Sequence, residues 1–138
     1  MEKKFYLDTC IWIDYLEDRK NGIKPLGELA FQFLRKCRKE KSTIIVSDVM
    51  RKELYKHIAK EEIEKRLLDF SDLIIEVKHS QEQFDEAHLF WVKTKKEFPQ
   101  ADILHAIISR DQKAVLISRD KHFAEIDIVE FHFPEELF

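Results

Sequence analysis

Short blocks of apolar residues alternate along this chain with longer stretches in which apolar side chains return every three or four positions. Residues 4–8 (KFYLD) read as a short buried strand running straight into a helix, TCIWIDYLE. Thr9 can cap that helix, and Ile11, Trp12, Tyr15 and Leu16 recur at helical spacing. Asn21-Gly22 signals a turn and Pro25 suits the entrance of a second helix over about 26–40. Its inner stripe is Leu26, Leu29, Ala30, Phe33, Leu34 and Cys37. The β-branched run STIIVS (42–47) has strand length and ends at Ser47-Asp48, a natural N-cap pair for a helix carrying Glu53 and Leu54. A Glu-, Lys- and Leu-rich helix over about 60–70 follows, then a third strand, LIIEV (73–77). Residues 81–97 predict a long amphipathic helix with Phe84, Ala87, His88, Trp91 and Val92 on one face. Pro99 interrupts, ADILHAIIS starts a mostly apolar helix, AVLIS (114–118) is a fourth strand and RDKHF a brief helical turn. IDIVEF (126–131) reads as a fifth strand, at an edge because its polar residues alternate.

Strands that alternate with helices, and that lack a strict inside/outside period, predict an α/β fold with a parallel sheet covered on both faces. The handedness of crossovers sends the C-terminal end of every strand to one edge, where open α/β sheets bind their ligands.

Composition narrows this picture without redirecting it. The length of 138 residues predicts a single domain, 1–138, large enough to bury a core without disulfides. Eleven Phe residues predict a bulky core, and the scarcity of Gly and Pro predicts short connections. Cys10 and Cys37 lie in apolar or helical segments without metal-ligand spacing and read as buried small hydrophobes. Unpaired thiols, a charged N-terminus (MEKKFYLDT) that is no export signal, and no apolar run near the ~18 residues of a membrane span predict a soluble, cytoplasmic protein. The net charge of −3 does not announce a nucleic-acid binder, but the charges are uneven. RKCRKEK (35–41) and the following Arg51, Lys52, Lys56, Lys60, Lys65 and Arg66 are basic, whereas residues 124–138 carry only acids. The basic stretch fits either solvated helix faces or a phosphate footprint.

Four acids stand out by position. Asp8 closes the first strand, Glu53 lies one to two helical turns past the second, Asp102 opens the helix after Pro99, and Asp120 lies just beyond the fourth strand. Singly, each has a plain role as a cap, a first-turn acid or a solvated side chain. Together at one sheet edge they would repel: two like charges 4 Å apart cost about 4 kcal/mol at an effective dielectric near 20. Such a cluster requires protons or a hard divalent cation, and oxygen-only ligands suit Mg²⁺ or Mn²⁺. Acids, a metal and a basic flank point to phosphodiester hydrolysis by an activated water.

The blocks that hold these acids resemble the PIN-domain family, and within it the VapC-type toxins. FYLDTCIWIDYLE is similar to the family's opening, IIVSDVMRKEL to its second block, PQADILHAIIS to its third and VLISRDKHF to its fourth, in order over residues 5–123. The resemblance implies a three-layer α/β/α sandwich with a central, mostly parallel sheet of about five strands. It implies a Mg²⁺- or Mn²⁺-dependent endoribonuclease that cleaves single-stranded RNA or tRNA, leaving a 5′-phosphate and a 3′-hydroxyl. It places the metal-binding, catalytic acids on Asp8, Glu53, Asp102 and Asp120, with Thr9 and Ser118 as supporting hydroxyls; Arg119 stands where it could meet the phosphate. It further implies a homodimer and a cognate antitoxin covering the acidic groove. Departures are Phe98-Pro99-Gln100 where a Gly commonly stands, and His105, bulkier than usual and read as packed and hydrogen-bonded outside the site.

Other readings of the same residues are a non-catalytic RNA-binding or scaffold module, and an RNA-maturation nuclease of the same fold. A haloacid-dehalogenase-like phosphatase would need an acid where Cys10 stands, and a receiver domain an acidic pair near the first strand; neither fits.

Overall fold

The computed structural model describes residues 3–138; Met1 and Glu2, part of the stretch read above as no export signal, lie outside them. In chain order the elements are β1 (Lys4–Leu7), α1 (Thr9–Leu16), α2 (Leu26–Lys39), β2 (Thr43–Ser47), α3 (Asp48–Leu54), α4 (Lys60–Leu68) and β3 (Ile74–Val77). Then follow α5 (Gln81–Lys93), α6 (Gln100–Asp111), β4 (Val115–Ile117), α7 (His122–Ile126), β5 (Phe131–His132) and a 3₁₀ turn (Pro134–Leu137).

The five strands form one parallel sheet in the order β3-β2-β1-β4-β5, with Phe5 opposite both Ile44 and Val115. Side chains alternate across each strand and both faces are buried. Phe5, Leu7, Ile44, Val46 and Ile117 pack with Ile11, Trp12, Phe33, Leu34, Met50 and Ile63 of the first four helices. Tyr6, Ile45 and Leu116 pack with Ile103, Ile107, Phe123 and Ile126 of the last helices. The result is the expected three-layer α/β/α sandwich.

The chain steps outward from β1 through β2 to β3, then crosses back to place β4 on the other side of β1. The reversal leaves a crevice at the C-terminal ends of β1 and β4, the place where such sheets bind ligands. α6 feeds β4, so its first turn lies at this same edge.

Three expectations change. The fifth strand shrinks to Phe131–His132, because Ile126 ends α7 and Asp127 takes a left-handed conformation (φ 51°) that closes the helix. The apolar residues of IDIVEF still pack inward, so their pattern marks burial, not extension. α5 stops at Lys93, with Lys95 and Lys96 at positive φ, and of its expected inner face only Ala87 is buried. The cap of α1 is Asp8, whose Oδ1 accepts from the Thr9 amide (2.8 Å), and Thr9 is freed for other work. No helix among the described residues is long and apolar enough to cross a membrane.

Candidate metal centre

Asp8 leaves β1 at the crevice and is 7% exposed. Its Oδ2 accepts from the Ser118 hydroxyl (2.9 Å) and from the Cys10 thiol (3.4 Å). Ser118 follows β4 and its Oγ also accepts from the Asp120 amide (3.0 Å), so one hydroxyl ties the two strand ends together. Cys10 is therefore half-buried beside an acid and not the buried hydrophobe expected, whereas Cys37 sits in the core.

Glu53 reaches the crevice because Ser47 caps α3 directly at the end of β2, accepting from the Met50 amide (3.0 Å). Its Oε1 accepts from the Thr9 hydroxyl (2.9 Å) and from Nε2 of His105. His105 is wholly buried, and its Nδ1 meets the Tyr6 hydroxyl (2.5 Å), which in turn meets Ser47 Oγ (2.6 Å). A continuous hydrogen-bonded chain thus runs Ser47–Tyr6–His105–Glu53–Thr9 and on to Asp8. Burial alone would raise the Glu53 carboxyl, but the His105 bond and charge and the Thr9 bond hold it below the ordinary range. Burial likewise opposes a charged His105, yet its bond to Glu53 and the fields of Asp8, Glu53 and Asp102 raise it.

Asp102 sits in the first turn of α6. Its carboxyl is pushed up to about 6, first by burial and then by the charges of Asp8, Asp120 and Glu53, with His105 pulling the other way. Asp102 thus feels the charges of all three of the other sequence-selected acids. The tightest group is smaller: ligand atoms of Asp102, Asp120 and His122 lie within 4.8 Å of each other. Asp8 and Glu53 stand outside that triple, each tethered by its own donors. Among the described residues no hydrogen bond reaches the Asp102 carboxylate, which leaves an ionic partner as its natural complement.

The donor set fits a hard divalent cation, being oxygen-rich with one imidazole at its rim. His122 was not selected from sequence, although it stands two residues past Asp120; its amide donates to Asp120 Oδ1 (2.9 Å). Tyr6 was missed too, and the signal was there: a phenol in the middle of an apolar strand needs a buried partner. Arg119 is already paired with two acids. Its terminal nitrogens donate to both Glu135 oxygens (3.0 and 2.9 Å) and its Nε lies 3.4 Å from Asp14, so a phosphate would have to displace two carboxylates.

The PIN domain family model matches residues 5–129. No curated protein matches the sequence. Among solved structures, VapBC2 from Rickettsia felis, bound to a DNA fragment from its promoter, is similar with a TM-score of 0.69 at 16% identity. That match covers 94% of this chain and 98% of the other. The sarcin-ricin-loop-cleaving toxin VapC20 from Mycobacterium tuberculosis gives 0.66 at 13% identity, covering 91% and 97%. A toxin-antitoxin complex from Klebsiella pneumoniae gives 0.66 at 18%, covering 94% and 96%. At these identities the structures speak for the fold, while the family model spans nearly the whole sequence, and the protein belongs to the PIN domain family.

Proposed function

We propose that this chain is a Mg²⁺- or Mn²⁺-dependent endoribonuclease that hydrolyses single-stranded RNA, and that it is the toxin of a toxin-antitoxin pair. The observation that carries this reading is the gathering of ligand atoms of Asp102, Asp120 and His122 within 4.8 Å of one another at the sheet's switch point, with Asp8 and Glu53 close enough for their charges to act on Asp102. A divalent ion held among Asp8, Glu53, Asp102 and Asp120, with His122 at the rim, would acidify a water and offset the phosphodiester's charge. The chain's own residues do the positioning. Ser118 and the Thr9 amide fix the two oxygens of Asp8 in direction; Thr9 and His105 do the same for Glu53. Tyr6 and Ser47 in turn fix His105, so the geometry is anchored in the buried sheet and not in a loop. In the hydrolysis the water oxygen bonds to phosphorus, the bond to the 3′ oxygen breaks, and that oxygen ends protonated.

The toxin assignment is supported by similar solved structures that are toxin-antitoxin complexes from Rickettsia felis and Klebsiella pneumoniae. An antitoxin would silence the enzyme by covering the acidic crevice. Two free thiols suit a cytoplasmic setting. A homodimer is part of the same reading: Leu89 and Val92 on α5 are 67% and 52% exposed, an apolar pair that a second copy would cover.

The test is cleavage of a labelled single-stranded RNA with Mg²⁺ or Mn²⁺, comparing wild type with Asp8→Asn. The substitution should reduce cutting by about a hundredfold or more, since it weakens both the ion's hold and the water's activation. Equal activity would remove Asp8 from the mechanism.

A further inference from the structure

The acidic crevice poses a problem for its proposed substrate, because RNA phosphates are repelled by the carboxylates that would cleave them. Positive charge must be supplied close by, and the long basic stretch of the sequence does not supply most of it. Arg51 is bonded to Glu64 and Glu76, Arg66 pairs with Glu62 and lies over Tyr15, and Arg38 pairs with Asp72 and lies over Phe70. The RKCRKEK segment occupies the end of α2, which leads into the start of β2 and therefore lies at the sheet edge opposite the acids. A cavity of about 490 Å³ at that far edge gathers Lys3, Lys4, Lys36 and Lys113, but Glu40 and Glu130 line it as well.

Lys52 and Lys56 differ from these. Both are exposed, and among the described residues neither makes an ion pair. Lys52 lies in the last turn of α3 and Lys56 just past its C-terminal end. They line a groove of about 440 Å³ together with Glu53, Val49, Phe84, Gln100, Ala101 and Leu104. Glu53 belongs to the acidic site and Ala101 adjoins Asp102, so the groove opens from the crevice itself. Val49, Phe84, Ala101 and Leu104 give the groove an apolar lining as well, and Phe84 is 44% exposed. On α5 the Phe84 side chain points roughly 140° from Leu89 and roughly 80° from Val92, so it lies to one side of the pair offered to a second copy.

We propose that this groove seats the single strand of RNA beside the scissile bond, with phosphates against Lys52 and Lys56 and a base stacked on Phe84. Two cationic side chains and an aromatic ring match the two chemistries of an unpaired strand, charged along its backbone and flat on its base faces. A duplex hides its base faces, so the groove also gives a reason for single-strand preference. The inference rests on the nuclease reading and deepens it.

The experiment measures kcat and KM on a short mixed-sequence single-stranded RNA over a range of salt, for wild type, Lys52→Ala, Lys56→Ala and Phe84→Ala. Binding of the same RNA to the Asp8→Asn protein, with and without the groove substitutions, is followed by fluorescence anisotropy. Each substitution should raise KM by about tenfold and leave kcat within about twofold. Each lysine change should also lower the slope of log KM against log salt by about 0.7, a readout that a purely structural role would not move. If wild type cuts RNA and all three variants keep its KM and salt slope, the groove proposal is overturned while the nuclease reading stands. If wild type cuts nothing but anisotropy shows the same losses in the variants, the nuclease reading falls and the groove remains an RNA site. A change in oligomeric mass on Phe84→Ala with KM unaltered would assign the ring to a subunit contact and overturn the proposal.

Discussion

Asp102→Asn isolates the electrostatic cost of the crevice. The substitution keeps the size of the side chain and removes its charge. In the folded protein the Asp102 carboxyl is pushed up to about 6 from an ordinary value of 3.8, first by burial and then by Asp8, Asp120 and Glu53. The folded chain thus holds this proton more tightly than the unfolded chain, so stability from this group is complete below about pH 4 and is lost as pH rises through 6. A rise of that size corresponds to ~3 kcal/mol, and solvent screening of a carboxyl that is only partly buried reduces it to ~1–2 kcal/mol. For a domain of this length that is ~5 °C in Tm. Metal-stripped wild type and Asp102→Asn should therefore melt together near pH 3–4 and separate by ~5 °C at pH 8, the variant being the more stable. Adding Mn²⁺ at pH 8 should narrow or reverse the gap, because binding to the folded state stabilises wild type more than a variant lacking one ligand. A gap that does not depend on pH, or a variant less stable than wild type at pH 8, would refute the reasoning.

Tyr6→Phe removes the hydroxyl between His105 and Ser47 and should cost about 1–3 kcal/mol in urea unfolding, the penalty of a buried imidazole nitrogen left without its partner. Gly27→Ala would bring a Cβ to 2.6 Å from the Asp18 Cα and 2.7 Å from the Asp14 carbonyl; backbone cannot yield cheaply there, and ~1–3 kcal/mol should be lost in the same assay. Burial opposes the charge of Glu135, but Arg119 and Lys24 outweigh it and hold the acid down at about 2. Its contribution is present above its unfolded value and is lost as pH falls from about 4.5 towards 2. Glu135→Gln should lower stability at pH 7 by about 1 kcal/mol or less, with a difference that vanishes on acidification in a melting series.

How much of this was legible beforehand depends on how local each cause is. FYL, TIIV and VLI read as buried strands because both faces of the sheet are covered, and the parallel order followed from the helices between them. IDIVEF misled because burial on the outer layer produces the same apolar run whether the backbone is extended or closing a helix at Asp127. The α5 face misled in the opposite sense: Phe84 and Val92 have helical spacing, yet α5 packs as an outer helix with Ala87 alone buried. Asp8 and Asp120 were findable because a strand end fixes where its next residue points. Arg119 was not, since its neighbour Asp120 suggested the crevice while Glu135, distant in sequence, holds the guanidinium.

The least legible part of the site explains its most telling property. Donors already satisfy two of the acids: Ser118 and the Thr9 amide serve Asp8, while Thr9 Oγ1 and His105 serve Glu53. Apart from the adjacent Thr9 amide, these partners lie 44 to 110 residues apart in the chain, so no spacing rule announces them. Asp102 receives no such donor among the described residues, and burial with the charges of Asp8, Asp120 and Glu53 outweighs the pull of His105, which is why its carboxyl is driven upward. A site that secures two carboxylates with fixed donors and leaves a third without one keeps oxygen lone pairs free for a ligand that comes and goes. A cation is the ligand those lone pairs suit.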